Sequence, residues 1–116
     1  VWLVGEDAEF RAWPVHARRM AFFVYILASG RNGTLYVGRT SDLSRRMIEH
    51  RTRAFDGFTA QHGVTRLVHF ERFEALDSAW RRERSLKRWR RDWKLNLIER
   101  DNPEWSDLAL GISGEQ

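Results

Sequence analysis

The stretch Phe22-Phe23-Val24-Tyr25-Ile26-Leu27-Ala28-Ser29-Gly30-Arg31-Asn32-Gly33-Thr34-Leu35-Tyr36-Val37 decides the fold. Its opening run is dominated by aromatic and β-branched residues, is too short for a comfortable helix, and is closed by Ser29-Gly30, which reads as a buried strand. Asn32-Gly33 supplies the turn, since both tolerate the positive φ a tight hairpin needs, and Thr34 to Val37 forms the second arm. Downstream, Ser41 is the expected N-cap of a helix with Asp42 in its first turn, running to about Arg51. Ala54 to Gly63 reads as loop and Arg66 to Phe73 as a third strand of alternating character. Asp77 or Ser78 is expected to cap a long basic helix to about Arg90. A last helical stretch reaches Glu99 and is stopped by Asn102-Pro103. The order ββαβαα predicts a single small α/β domain, its central three-stranded sheet (hairpin plus third strand) flanked by helices.

With 116 residues, 42% of them apolar, the chain suffices for one domain with a real core and not for two. The absence of cysteine excludes disulfide staples, thiolate-bound zinc and a thiol nucleophile. The apolar run Ala21 to Ala28 falls far short of the roughly 20 residues of a membrane helix, so no membrane partner is expected. Arg18-Arg19-Met20 ahead of that run imitates a secretory signal, but the run is aromatic and begins deep in the chain. Residues 1–19 show neither helical nor strand period and are expected to be a non-native or loosely packed extension ahead of a start at Met20. The domain is expected over 20–110, with 111–116 a flexible tail. Gly33-x-x-x-x-Gly38-Arg39-Thr40 imitates a phosphate-binding loop, yet its inner residues are the second strand, which rejects that reading.

A net charge of +4 and a pI near 10.3 favour an anionic partner. The charge is concentrated: Arg81 to Lys94 holds eight basic residues against Glu83 and Asp92, and Arg39 to Arg53 holds five arginines against Asp42 and Glu49. Such runs suit a solvated helix face as well as a nucleic-acid surface. Trp80, Trp89 and Trp93 do not decide between them, because aromatics at helical spacing are more often core than stacking platforms.

The chemistry-bearing residues stand out by position. Tyr25 and Tyr36, the chain's two tyrosines, lie on opposite arms of the hairpin. Leu43, Arg46, Met47 and His50 share one helical stripe, which directs an arginine and a histidine toward the sheet; this is costly unless they line a cleft. On the long basic helix, Ala79, Glu83, Leu86 and Arg90 form a stripe with one carboxylate among the cations. Glu83 is either an ion-pair partner of Lys87 at i+4 or the single hard ligand of a divalent ion.

Phe23-Val24-Tyr25, Tyr36-Val37-Gly38, Arg46 and His50 on a helix, and Ala79-x-x-x-Glu83-x-x-Leu86-Lys87 on another, in this order and spacing, resemble the GIY-YIG endonuclease superfamily, and more narrowly its small stand-alone bacterial members. The likeness extends from Phe22 to Leu108 and includes Gly57-Phe58-Thr59 and Asn102-Pro103-Glu104-Trp105. The resemblance implies a divalent-metal-dependent endonuclease that hydrolyses phosphodiester bonds, using one Mg²⁺ or Mn²⁺ ion. It implies Tyr25 in activating water, Tyr36 in orienting the site, Arg46 in neutralising the phosphorane, and His50 in contact with water, phosphate or Tyr25. Glu83 would be the sole protein ligand of the ion. Asn102, in competition with Asn96, matches an asparagine that some members use. Arg39, Arg45, Arg82, Lys87, Arg90 and Arg91 are the expected nucleic-acid contacts, to DNA ahead of RNA. With no separate target-recognition domain in view, structure-dependent or weakly selective cutting is expected, in a cytoplasmic, DNA-repair setting. A non-catalytic nucleic-acid-binding module on the same fold is the alternative.

Overall fold

The computed structural model describes residues 21–52 and 63–110. The expected extension 1–19, most of the expected loop from Ala54 to Gly63, and the tail 111–116 lie outside the described residues. Three strands, β1 (Phe22–Ala28), β2 (Leu35–Thr40) and β3 (Arg66–Phe73), and three helices, α1 (Leu43–Arg51), α2 (Leu76–Arg88) and α3 (Arg91–Asp101), follow in the order ββαβαα. The sheet order is β2-β1-β3 with both pairings antiparallel. β1, the most apolar segment, therefore takes the centre, where both of its faces are covered.

Alternation along β1 divides the core in two. Val24, Ile26 and Ala28 pack with Ala79 and Leu86 of α2, Leu97 and Ile98 of α3, and Trp105. Tyr25 and Leu27 face the other way, onto Leu43 and Met47 of α1. The β1–β2 turn holds Asn32 at φ 57, as its amide side chain tolerates, and the Ser29 and Thr34 backbones close it at 3.0 Å.

Several boundaries differ from the sequence expectation. β2 starts at Leu35 and extends to Thr40, because Arg39 and Thr40 continue the ladder opposite Val24 and Phe23. Asp42, and not Ser41, is the N-cap of α1: its carboxylate accepts a hydrogen bond from the Arg45 backbone N–H at 3.2 Å. α2 begins at Leu76 after Ala75, so neither Asp77 nor Ser78 caps it. Asp77 instead sits in the first turn, where its charge complements the helix dipole. α2 also ends at Arg88: Trp89 and Arg90 are extended, and the Arg90 carbonyl starts α3, which runs on to Asp101. The break turns the chain so that Trp89 packs against the core and α3 lies back over the sheet.

β3 carries one more irregularity. Ile26 pairs with His69 and Leu27 with Leu67, leaving Val68 as an extra residue in a bulge. A bulge reverses the parity of all that follows it. His69 and Glu71 thus turn toward the α2–α3 side, where strict alternation would have kept them on the side of Leu67.

Candidate active site

The site forms where Tyr25 of β1, Tyr36 of β2 and the inner stripe of α1 meet. Tyr25 stands opposite Gly38, and Tyr36 opposite Leu27, so the two tyrosines are diagonal neighbours on one face of the sheet with ring centroids 6.4 Å apart. Leu43, Met47 and His50 are the buried residues of α1, which places the imidazole on that same face. His50 meets both phenols nearly edge-on, at 5.9 Å from Tyr25 and 5.7 Å from Tyr36. Its Nε2 lies 3.1 Å from the Tyr25 hydroxyl in a buried hydrogen bond.

Gly38 makes this packing possible. A β-carbon there would stand 2.5 Å from the Tyr25 hydroxyl oxygen and 2.6 Å from Cζ, closer than real side chains approach. The phenol occupies the volume that a side chain would otherwise claim.

Burial pushes the Tyr25 hydroxyl up to about 12; Tyr36 adds to the rise, while the charge and hydrogen bond of Arg46 oppose it and the Glu83 charge raises it further. Burial also pushes His50 below the ordinary imidazole range, the Arg46 charge adding to that and Glu49 opposing it. At neutral pH the pair is therefore a protonated phenol and a neutral imidazole. Arg46 is half-buried and pairs with Glu49 at 3.2 Å.

Glu83 approaches from α2. Its Oε1 accepts from Arg39 Nε at 2.9 Å, and its Oε2 pairs with Lys87 Nζ at 3.0 Å. Burial alone would raise this carboxyl, and the bonds from Lys87 and Arg39 outweigh it, holding the group below the usual carboxylate range. Of the two sequence readings, the Lys87 pair is present, joined by an Arg39 bond that spans 44 positions.

The remaining expected residues divide. Arg45 is exposed and pairs with Glu49 on its own helix, and Arg90 is exposed over the Trp93 ring. Arg82 instead turns inward, its Nε and Nη2 gripping Glu71 at 2.8 and 2.9 Å. Arg91 clasps the hairpin turn through the carbonyls of Asn32 and Gly33 at 2.7 and 2.8 Å. Asn102 is buried, with its amide bonded to the Val68 and Ser106 carbonyls and the Ser106 N–H, so it ties the C-terminal turn to β3. Asn96 is exposed. Two features escaped sequence reasoning. One is the steric role of Gly38, for which the close spacing of Tyr36 and Gly38 was the available signal. The other is the buried His69–Glu71–Arg82 cluster, for which there was none.

Residues 21–96 match the family model for the GIY-YIG catalytic domain. The chain belongs to the GIY-YIG family. Among its relatives, a UPF0213 protein of Syntrophus aciditrophicus is 35% identical over 83 residues, covering 71% of this chain and 93% of that protein. A UPF0213 protein of Clostridium perfringens is 37% identical over 76 residues, covering 66% and 81%. The solution NMR structure of a UPF0213 protein from Bacillus halodurans is 29% identical, covers 75% of this chain and 92% of that one, and superposes with a TM-score of 0.49. The chain is thus a small member of a nuclease domain family.

The family implies a divalent ion, which needs a suitable donor set. Among the described residues no three His, Cys, Asp or Glu side chains gather into a cage. Two carboxylates bear on the site: Glu49, paired with Arg46 on α1, and Glu83 of α2, whose charge acts on the Tyr25 hydroxyl. That set fits a hard ion such as Mg²⁺ or Mn²⁺, which takes one or two carboxylates and completes its shell with water and phosphate, and it does not fit a structural zinc. No helix among the described residues is long and apolar enough to cross a membrane.

Proposed function

We propose that the chain is a divalent-metal-dependent endonuclease that hydrolyses phosphodiester bonds in nucleic acid, DNA ahead of RNA, selecting by structure or weakly by sequence. The observation that carries the reading is the buried hydrogen bond between Tyr25 and His50. A phenol with a pKa near 12 cannot by itself take a proton from water at neutral pH. Bonded to a neutral imidazole it has an outlet: the hydroxyl donates to Nε2, its oxygen lone pair accepts from the attacking water, and the phenolic proton passes to His50 as the water proton arrives. Tyr36 packs against both rings and fixes their angle. Arg46 supplies fixed positive charge for the added negative charge of the phosphorane. Glu83 would hold the ion, displacing Lys87 from Oε2; such an ion supplies Lewis acidity to the phosphate and neutralises the leaving oxygen.

The test incubates the protein with branched, single-stranded and duplex DNA and RNA under Mg²⁺ or Mn²⁺ titration. Cutting is expected only with the ion, and Tyr25→Phe should lose about 10²–10⁴-fold, the usual scale of proton-transfer catalysis. Because His50 must be neutral, the wild-type rate should be flat above its lowered pKa and fall as pH drops through it, below the ordinary histidine range. Undiminished cutting by folded Tyr25→Phe, or no cutting under any ion, would refute the reading.

One observation favours a second reading, a nucleic-acid-binding module that does not cut: both Glu83 oxygens already face cations of the chain itself.

A further inference from the structure

Helical spacing leaves open whether the α2–α3 tryptophans belong to the core, and Trp80 is 43% and Trp93 49% exposed. Each ring of the group carries a guanidinium: Arg84 lies 4.8 Å from the Trp80 centroid, Arg82 5.1 Å from that of Trp89 and Arg90 5.1 Å from that of Trp93. A trough of about 370 Å³ runs along α2, lined by Trp80, Arg81, Arg84, Ser85, Arg88 and Trp89. A second depression of about 380 Å³ is lined by Arg39, Leu76, Asp77 and Trp80. Trp80 thus borders both hollows, and the second reaches Arg39, the bonding partner of Glu83 at 2.9 Å.

We infer that this face of α2 binds single-stranded nucleic acid, with an unpaired base stacked on Trp80 and flanking phosphates on Arg81, Arg84 and Arg88, and delivers that strand to the site at Glu83. The inference names the substrate class for the activity proposed above and rests on that reading.

Three arguments select this occupant. An exposed indole beside arginines is the pattern by which proteins hold single strands, because every base offers a π-face once it is unpaired. A duplex hides those faces in its own stack and offers the indole only edges and backbone. A second copy of the chain is disfavoured by charge: two-fold pairing of this face would set three arginines against three, with Asp77 the single acid beside them. From Trp80 to Arg88 is eight residues, about 12 Å of helix, or about three to four stacked nucleotides at 3.4 Å each.

The test measures binding by anisotropy with a chelator present, so that nothing is cut, on labelled oligo-dT and oligo-rU of about 12 nucleotides, within the span of known single-strand sites, and on a blunt duplex of equal length. Trp80→Ala should weaken the better-bound single strand about 5- to 100-fold and leave duplex affinity within about twofold, while Trp80→Phe restores most of the loss. Equal loss on strand and duplex, or no loss on the strand, would overturn the inference. So would a dimer, seen by sedimentation, that Trp80→Ala dissociates. The two proposals fail separately: a protein that binds strands through Trp80 and never cuts refutes the nuclease reading, and one whose cutting and binding ignore Trp80 refutes only the stacking surface.

Discussion

Glu71 and Glu83 lie within one small domain, each held by two basic side chains, and the difference between them separates scaffold from site. Glu71 is 2% exposed; His69 Nε2 lies 2.8 Å from it and Arg82 grips both of its oxygens. Burial would raise its pKa, and these bonds carry it instead down to about 2. Glu83 is 14% exposed, and one of its partners, Lys87, is 54% exposed. Adjacent residues of α2 thus do opposite things: Arg82 locks the helix to β3, while Glu83 presents a carboxylate at the β2 edge with a partner that can move aside into solvent.

The largest expected effect breaks the locked member. Glu71→Gln leaves Arg82 without its anion, and loss of about 3–5 kcal/mol is expected by analogy with broken buried pairs, read from chemical denaturation. Because the folded pKa of Glu71 is depressed from 4.5 to about 2, its contribution is full above about pH 4.5 and is lost as pH falls toward 2. The wild-type melting temperature should fall through that window, and the variant should lack this limb. The next effect acts on the open member. Glu83→Gln should reduce cutting at least about 100-fold, roughly 2.7 kcal/mol of barrier, while costing far less stability than Glu71→Gln, since the amide oxygen can still accept from Arg39. A variant as unstable as Glu71→Gln would erase the contrast, and retained cutting would place the ion elsewhere. The smallest effect concerns the movable partner: Lys87→Gln should cost about 0.2–0.5 kcal/mol and leave cutting within a few-fold. A collapse of cutting there would make the lysine part of the machinery.

The same contrast marks what could be read in advance. The aromatic run at Phe22, the Asn32-Gly33 turn and the Leu43–His50 stripe are set by neighbours in sequence, so the hairpin, α1 and the meeting of Tyr25, Tyr36 and His50 were legible. Membership of the family was legible from the same residues in order. The Glu71 cluster was not, because its side of the sheet depends on the Val68 bulge, which arises only when β3 registers against β1. Arg82 and Arg91 looked like their basic neighbours for a related reason: which cation turns inward is decided by an acceptor far away in the chain, Glu71 for one and the hairpin turn for the other. The Arg39–Glu83 bond joins β2 to α2 across 44 positions and leaves no local trace. Trp80, by contrast, stayed undecided in the sequence, since helical spacing describes a stripe and does not say which stripe meets the sheet.

Gly38 carries a consequence for how this sequence can vary. At most positions of a protein, tolerance declines gradually with the size of the substituted group. At 38 the first carbon added already coincides with the Tyr25 phenol, and every larger residue begins with that same carbon. A saturation library at this codon should sort into two populations with no middle: glycine, with the phenol seated against the strand, and the other nineteen, with the phenol displaced.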